Sequence, residues 1–390
     1  MTSQISDVLI VGAGAAGHSA ATTLRSAGFT GTLRIVHDEP QPPYNRTIVD
    51  KGILPGLLTA EQTALPALEP LGVETVNGRA VALEAAEQVL RLEGGRDLRF
   101  HRLLVAVGST PRIQAGEDLD GMFSLHRAQD AVQIRAHVEG DFAGRSVTVL
   151  GAGLVGTEMA SLLVAAGADV HIVARSELPL ASALGTPVAT RLRHLHRQHT
   201  TFHGGRTVRS LRRTAHGVEV RLDDGERWES DIVISAQGTI PATSWITSKG
   251  AGIPVDGSLR AEGLPNVYAA GGAVLHADLD GGLFRIDHWD DAAAQGAHVA
   301  RTMLHDQGSG RDPGTYHAVT AYVVSVYGSS LMGAGITGSD AVAHTMPAGD
   351  DGLVTTFAGR DGTMTGAVGW QATREVHAIR QELALRRSHW

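Results

Sequence analysis

An α/β fold that uses one βαβ unit twice, followed by a small C-terminal α+β domain, is predicted by three observations. The first is an internal repeat: VLIVGAGAAGHSAATTLRSAG (Val8 to Gly28) recurs as VTVLGAGLVGTEMASLLVAAG (Val147 to Gly167), offset by 139 residues. The second is the shared form of the copies. Each runs from a short apolar stretch through a Gly-x-Gly-x-x-Gly turn into an Ala/Leu-rich helical stretch, then into a second apolar strand, Leu33 to Val36 or Val170 to Val173. The third is length and composition: 390 residues suffice for two or three domains, and 48 glycines exceed the usual ~7% without a collagen-like period.

Taken in order, the first unit leads into a Pro-rich loop, EPQPPYNR (Glu39 to Arg46), then helical pieces and a hairpin-like stretch ending in the buried strand LLVAVG (Leu103 to Gly108). The second unit leads to alternating runs such as VEVRL (Val218 to Leu222) and to the buried strand DIVISAQG (Asp231 to Gly238). VYAAGG (Val267 to Gly272) repeats that form and is expected to run into a helix from Trp289 to Leu304. The polar, Gly-rich HDQGSGRDPGT (His305 to Thr315) reads as a linker. Beyond it come AYVVSVYG, further short strands and a closing helix from about Thr373 to Arg386.

Composition narrows the chemistry. With no cysteine, disulfides, thiolate metal sites, iron–sulfur ligation and a catalytic dithiol are excluded, so redox chemistry needs a bound cofactor. A net charge of -8 argues against a chain-wide nucleic-acid footprint. No run reaches the ~18 apolar residues of a membrane span, and the expectation is a soluble, cytoplasmic protein.

Gly12, Gly14 and Gly17 stand between strand and helix, with Ala15 and Ala16 opening the helix. There the glycines permit a tight turn, close approach of backbone to a pyrophosphate, and close helix–strand packing. Asp38 and Glu39, about 20 residues on, suit ribose hydroxyls. Gly151, Gly153 and Gly156, with Leu154 and Val155, make a second cradle, but its second strand ends in Ala174-Arg175-Ser176 where binders of NAD usually place an acid. Arginine and a hydroxyl welcome a 2′-phosphate, which favours NADPH over NADH. Two dinucleotide-binding, Rossmann-like domains thus predict one nucleotide that donates electrons and one that receives them. Lys51 is one of only two lysines among 33 lysines and arginines.

From Val8 to about Gly369 the sequence resembles the flavin-dependent ferredoxin, rubredoxin and putidaredoxin reductases and their relative, apoptosis-inducing factor. The shared features are both glycine motifs, the second followed by Thr157-Glu158, together with PYNRTIVDKGIL, LLVAVGSTPR, VDGSLRAEGLPNVYAAGG and HWDDAAAQG. The resemblance implies a discontinuous FAD-binding domain of residues 1–112 and 236–308, an NAD(P)-binding domain of residues 113–235 and a C-terminal α+β domain of residues 315–390. It implies that Asp38 or Glu39 holds the adenosine ribose and that Arg46 and Arg112 contact the dinucleotide. Val81, Gly108, Gly238, Gly271, Gly272 and Trp289 are further cofactor contacts by the same resemblance, Trp289 being equally readable as an aromatic packing anchor. Lys51 would lie by the flavin and pair with Glu158 across the two nucleotide domains, making these two the catalytic candidates.

The match departs in three places. The family's Gly-Asp after the third apolar strand reads Gly271-Gly272, so a carboxylate on the ribityl chain is missing, with water, Asp278 or Asp280 as substitutes. The Ala-Thr-Gly turn reads Ala106-Val107-Gly108. Phe-Trp-Ser-Asp near the C-terminal domain reads Tyr322-Val323-Val324-Ser325. Seven arginines and no acid between Thr186 and Arg213 suit an acidic [2Fe–2S] ferredoxin near Arg191, Arg193 and Arg197, although solvated surface explains a charge run equally well. Within that run, His196, His199 and His203 fall on one helical face, but the neighbouring arginines argue against a metal. Three readings follow: an NAD(P)H-dependent ferredoxin reductase, a flavoenzyme acting on a small organic molecule, quinone or oxygen, and a nucleotide-binding protein without redox turnover.

Overall fold

A computed structural model describes residues 5–112, 119–247, 252–277, 283–317, 320–338 and 341–387. Contacts group the chain into two compact units. One comprises Met1–Thr47, Ala60–Thr110 and Thr239–Ala318; the other comprises Ile48–Thr59, Pro111–Gly238 and Val319–Trp390.

In the first unit, the strand Ser6–Val11 pairs in parallel with Leu33–His37 on one side and Asp97–Val105 on the other. Val73–Asn77 and Val267–Ala269 extend the sheet outward from these neighbours. Leu9, Ile10, Leu103 and Leu104 are wholly buried, as continuous apolar runs in a parallel sheet covered on both faces should be. Asp97–Val105 first alternates exposed and buried residues and then buries every side chain. Its first half belongs to an antiparallel extension with Val89–Leu92 and Ala80–Glu84, its second half to the parallel core. The helix Ala15–Ser26 packs on the helix Trp289–Asp306. Their backbones approach so closely at Gly296 that a Cβ there would overlap the Ala16 carbonyl oxygen.

The second unit repeats the plan. Ser146–Leu150 lies between Asp169–Ala174 and Ile232–Ser235, with Thr201–Gly204 and Met122–Ser124 outermost, all parallel. A three-stranded antiparallel sheet, Val208–Arg213, Val218–Leu222 and Arg227–Ser230, is the counterpart of the first unit's extension. The C-terminal part is a five-stranded antiparallel sheet, from Ala321–Val326 to Met364–Trp370, with the helix Thr373–Arg387 against it. In it the Tyr322 ring lies over its cross-strand partner Gly333, whose missing side chain leaves room for the aromatic face.

Two expectations need correction. VYAAGG does not run straight into a helix: the strand stops at Ala269, Gly271–Ala273 forms a single 3₁₀ turn, and Val274–Ala277 adds another strand before the helix Trp289–Asp306. The helix Thr186–His199 ends before His203, which sits on Thr201–Gly204, so the three histidines do not share a helical face. Among the described residues no helix is long and apolar enough to cross a membrane.

Candidate functional site

Each unit presents a glycine turn at the C-terminal end of its central strand, and the two turns obey one steric rule. Gly12 and Gly151 have φ of 99° and 108°, and a Cβ on either would overlap the carbonyl oxygen of Ala106 or Ala236 on the neighbouring strand's exit. A Cβ on Gly17 or Gly156 would overlap the carbonyl oxygen of Gly12 or Gly151. The middle glycines differ: among the described residues, nothing lies within 4 Å of a Cβ built on Gly14 or Gly153. Two glycines of each motif therefore draw helix onto strand, and the third faces open space beside the N-termini of Ala15–Ser26 and Leu154–Ala165. Neither helix has a side-chain cap or an acid in its first turn, so the unpaired N–H groups are available to an anion. A dinucleotide pyrophosphate fits both cradles. Ala16 is buried at the helix crossing, Ala15 and Leu154 are half-buried, and Val155 is exposed.

Beyond the first cradle, the Glu39 carboxylate accepts from Tyr44 Oη at 2.8 Å and is paired with Arg46. Arg46 thus orients an acid at the end of Leu33–His37; Asp38 is next to it in the chain. Gly108 and Gly238 have positive φ, with nothing among the described residues within 4 Å of where a side chain would stand, and the exposed Arg112 donates its backbone N–H to the Gly238 carbonyl at 2.9 Å. Val81 stands exposed on the hairpin strand Ala80–Glu84, and Trp289 begins its helix half-buried.

Lys51 lies on a π-helical turn, Val49–Ile53, a rare conformation common at functional sites. Its Nζ donates to Glu158 Oε2 at 2.7 Å and stands 3.5 Å from Asp50 Oδ1. Glu158, 5% exposed, also receives the Ser325 backbone N–H. Both residues belong to the second unit, because the Lys51 segment packs on the helix Ala128–His137, where Arg135 donates to the Leu54 carbonyl. Burial opposes the lysine's charge, but Asp50 and Glu158 outweigh it and hold its pKa above the ordinary value. Burial raises the Glu158 pKa, with Asp50 adding to it and Lys51 only partly opposing.

Arg175 is exposed just past Asp169–Ala174 and has no ion-pair partner among the described residues. Glu177, the acid nearest it in sequence, is taken by Arg193 and Arg197 at 3.5 and 2.6 Å, while Arg191 pairs with Asp351 at 2.7 Å. These arginines line a cavity of about 470 Å³ with His194 and Trp370, and the ion pairs leave the stretch less basic than its composition suggests. The histidines are accounted for by packing: His196 bonds Thr157 and Tyr327, and His203 stacks between partners that include Trp228.

At the turn after Val267–Ala269, Gly271 has φ of 77° and donates its N–H to Gln295 Oε1 at 2.8 Å. Gln295 in turn donates to the buried Asp291. A Cβ on Gly272 would overlap Oδ1 of Asp287 and stand 3.0 Å from its Cγ. Asp278 and Asp280 lie outside the described residues. Sequence reasoning missed Asp287, Gln295, Gly296 and Asp50. Gln295 and Gly296 were visible inside HWDDAAAQG, and Asp287 stands two residues before its tryptophan, but no spacing rule marks a residue that works through a turn distant in sequence.

The family model described as pyridine nucleotide-disulphide oxidoreductase matches residues 6–296. Apoptosis-inducing factor 3 of Homo sapiens is 30% identical over 318 residues, which cover 77% of this chain and 51% of that protein; this chain spans about half the length of that relative. A ferredoxin--NAD(P)(+) reductase of Sphingomonas is 29% identical over 385 residues, covering 93% of this chain and 89% of that one. The covalent putidaredoxin reductase–putidaredoxin complex superposes with a TM-score of 0.87 at 22% identity, covering 97% and 93% of the two chains.

Proposed function

The chain belongs to the pyridine nucleotide-disulphide oxidoreductase family, and from that premise we propose that it is an NADPH-dependent flavoprotein reductase serving a ferredoxin-type iron–sulfur acceptor. FAD would occupy the first unit's cradle and the nicotinamide nucleotide the second's. The observation that carries the reading is the pair of matched turns, each closed by two glycines and opened by a third. When bound, FAD supplies the ability to accept an electron pair and release electrons singly, as an iron–sulfur acceptor requires. With no cysteine, the chain cannot run the dithiol step that the family's name describes.

Its own residues supply binding and charge. The helix N-termini at Ala15 and Leu154 offer N–H groups to pyrophosphate oxygens. Glu39, oriented by Tyr44 and Arg46, would accept from ribose hydroxyls. Lys51, kept protonated by Asp50 and Glu158, holds a positive charge that would balance electron density gained by a neighbouring cofactor ring. Arg175 would recognise a 2′-phosphate, with Glu177 neutralised by its two arginines. The helix Thr186–His199 is the proposed docking face for an acidic [2Fe–2S] protein.

The test is the absorbance spectrum of the purified chain before and after anaerobic NADPH. A yellow protein that bleaches, and that reduces cytochrome c rapidly only when ferredoxin is added, fits the proposal. A colourless protein that stays apo in excess FAD overturns it.

A further inference from the structure

At the C-terminal end of the first unit's parallel sheet, where open α/β sheets bind ligands, a carboxylate occupies a position that the local sequence leaves empty. Gly272 lies three residues beyond the strand Val267–Ala269, and Ser109 four beyond Asp97–Val105. Between them sits Asp287. Its Oδ2 accepts from Ser109 Oγ at 2.8 Å, from Thr239 Oγ1 at 2.5 Å and from Arg285 at 3.0 Å. Arg285 is fixed in turn by the carbonyls of Gly272 and Thr239. The other oxygen, Oδ1, stands where a residue-272 side chain would have to begin. The side chain is still 34% exposed, so its three donors hold the carboxylate without sealing it from a ligand.

The arrangement makes glycine at 272 and aspartate at 287 two halves of one solution. Any side chain at 272 would collide with Asp287, and an acid there would add like-charge repulsion. We propose that Asp287 is the carboxylate that accepts from the polyol hydroxyls of the flavin dinucleotide, doing from the helix-entry segment what a residue at 272 would do from the turn. The inference rests on the flavin reading above and adds to it the residue that sets affinity for the cofactor's sugar-alcohol chain.

The experiment is titration of the FAD-depleted full chain with FAD, read by quenching of flavin fluorescence, on the parent, Asp287→Ala, Gly272→Asp and the double variant. Asp287→Ala should weaken FAD binding about tenfold to a hundredfold, the loss of one charge-assisted hydrogen bond. Gly272→Asp alone should also weaken it, by collision. The double variant should recover most of the affinity, which a purely structural role for Asp287 would not allow. NADPH affinity, carried by the second unit, should not move in any variant. The assignment to Asp287 is overturned if Asp287→Ala binds FAD within about twofold of the parent, if Gly272→Asp alone tightens binding, or if the double variant is no better than the singles. A parent chain that binds no FAD defeats the flavin reading together with the inference, whereas normal parent binding with indifferent variants defeats the inference alone.

Discussion

Lys51 and Glu158 differ in their access to water: the lysine side chain is 39% exposed and the glutamate side chain 6%. Removing the lysine therefore strands a buried acid, whereas removing the acid frees a cation that can turn toward solvent. Glu158 has a folded-state pKa above its unfolded value, so its contribution to stability is fully present below the unfolded pKa and lost as pH rises through the folded one. Lys51→Met takes away a charge that holds this pKa down and widens that loss. The variant should be within about 1 kcal/mol of the parent near pH 4 and destabilised by about 2 kcal/mol near pH 8, a value reduced from the usual buried-pair cost because the lysine is partly hydrated. Denaturant unfolding at the two pH values measures it, and an equal penalty at both would show that the pair does not govern the Glu158 proton. Arg175→Glu tests charge at the other end of the second cradle. It should shift the NADPH-to-NADH preference about tenfold or more toward NADH, the loss of a charge-assisted contact plus repulsion; an unchanged ratio removes Arg175 from phosphate recognition.

In the strand–turn–helix elements, the three glycines of each motif separate into two kinds. Gly17→Ala and Gly156→Ala push a methyl group into the backbone oxygen of Gly12 or Gly151, and should cost about 1–3 kcal/mol of stability by overpacking. Gly14→Ala and Gly153→Ala keep negative φ and meet nothing among the described residues, so unfolding should change by less than about 1 kcal/mol while nucleotide affinity falls. Thermal melts alongside nucleotide titrations distinguish the classes, and parallel losses in both quantities for all four variants would refute the division. The two βαβ units were legible in the sequence because strand, turn and helix are neighbours along the chain and each leaves a periodic or glycine signal. The exit from Val267–Ala269 was not, because its course depends on Gln295 reaching back to the Gly271 N–H and on Gly296 admitting Ala16, contacts made across the fold. Asp287 escaped for the same reason: the space it fills belongs to a glycine 15 positions earlier. The shared helical face expected for His196, His199 and His203 is absent because the helix stops at His199, where Thr200 turns extended.

The molecule as a whole carries a set of histidines that folding keeps neutral. Burial depresses the pKa of His171 and His196 in the second unit and of His276, His288 and His298 in the first. A depressed folded pKa contributes stability above the unfolded value that is lost as pH falls through the folded one, so both units should weaken as pH drops below about 6.5. His196 is the largest case, wholly buried between Thr157 and Tyr327 and lowered from 6.5 to about 4. At 1.36 kcal/mol per unit that gap is about 3 kcal/mol. Other groups titrate nearby with different signs. Asp7 and Asp306 are depressed and matter only below the ordinary aspartate value of 3.8, while Glu158 and Asp291 are raised and regain stability on acidification. The parent's acid profile is therefore a composite, and a difference measurement isolates one ring. His196→Gln keeps hydrogen-bonding capacity toward Thr157 and Tyr327 but cannot take up a proton. Its unfolding free energy should lose about 3 kcal/mol less than the parent's between pH 7 and pH 4, so that the gap between the two proteins narrows or reverses on acidification. Parallel profiles across that window would mean that His196 is protonated in the folded chain, or that its neighbours relax to solvate the charge.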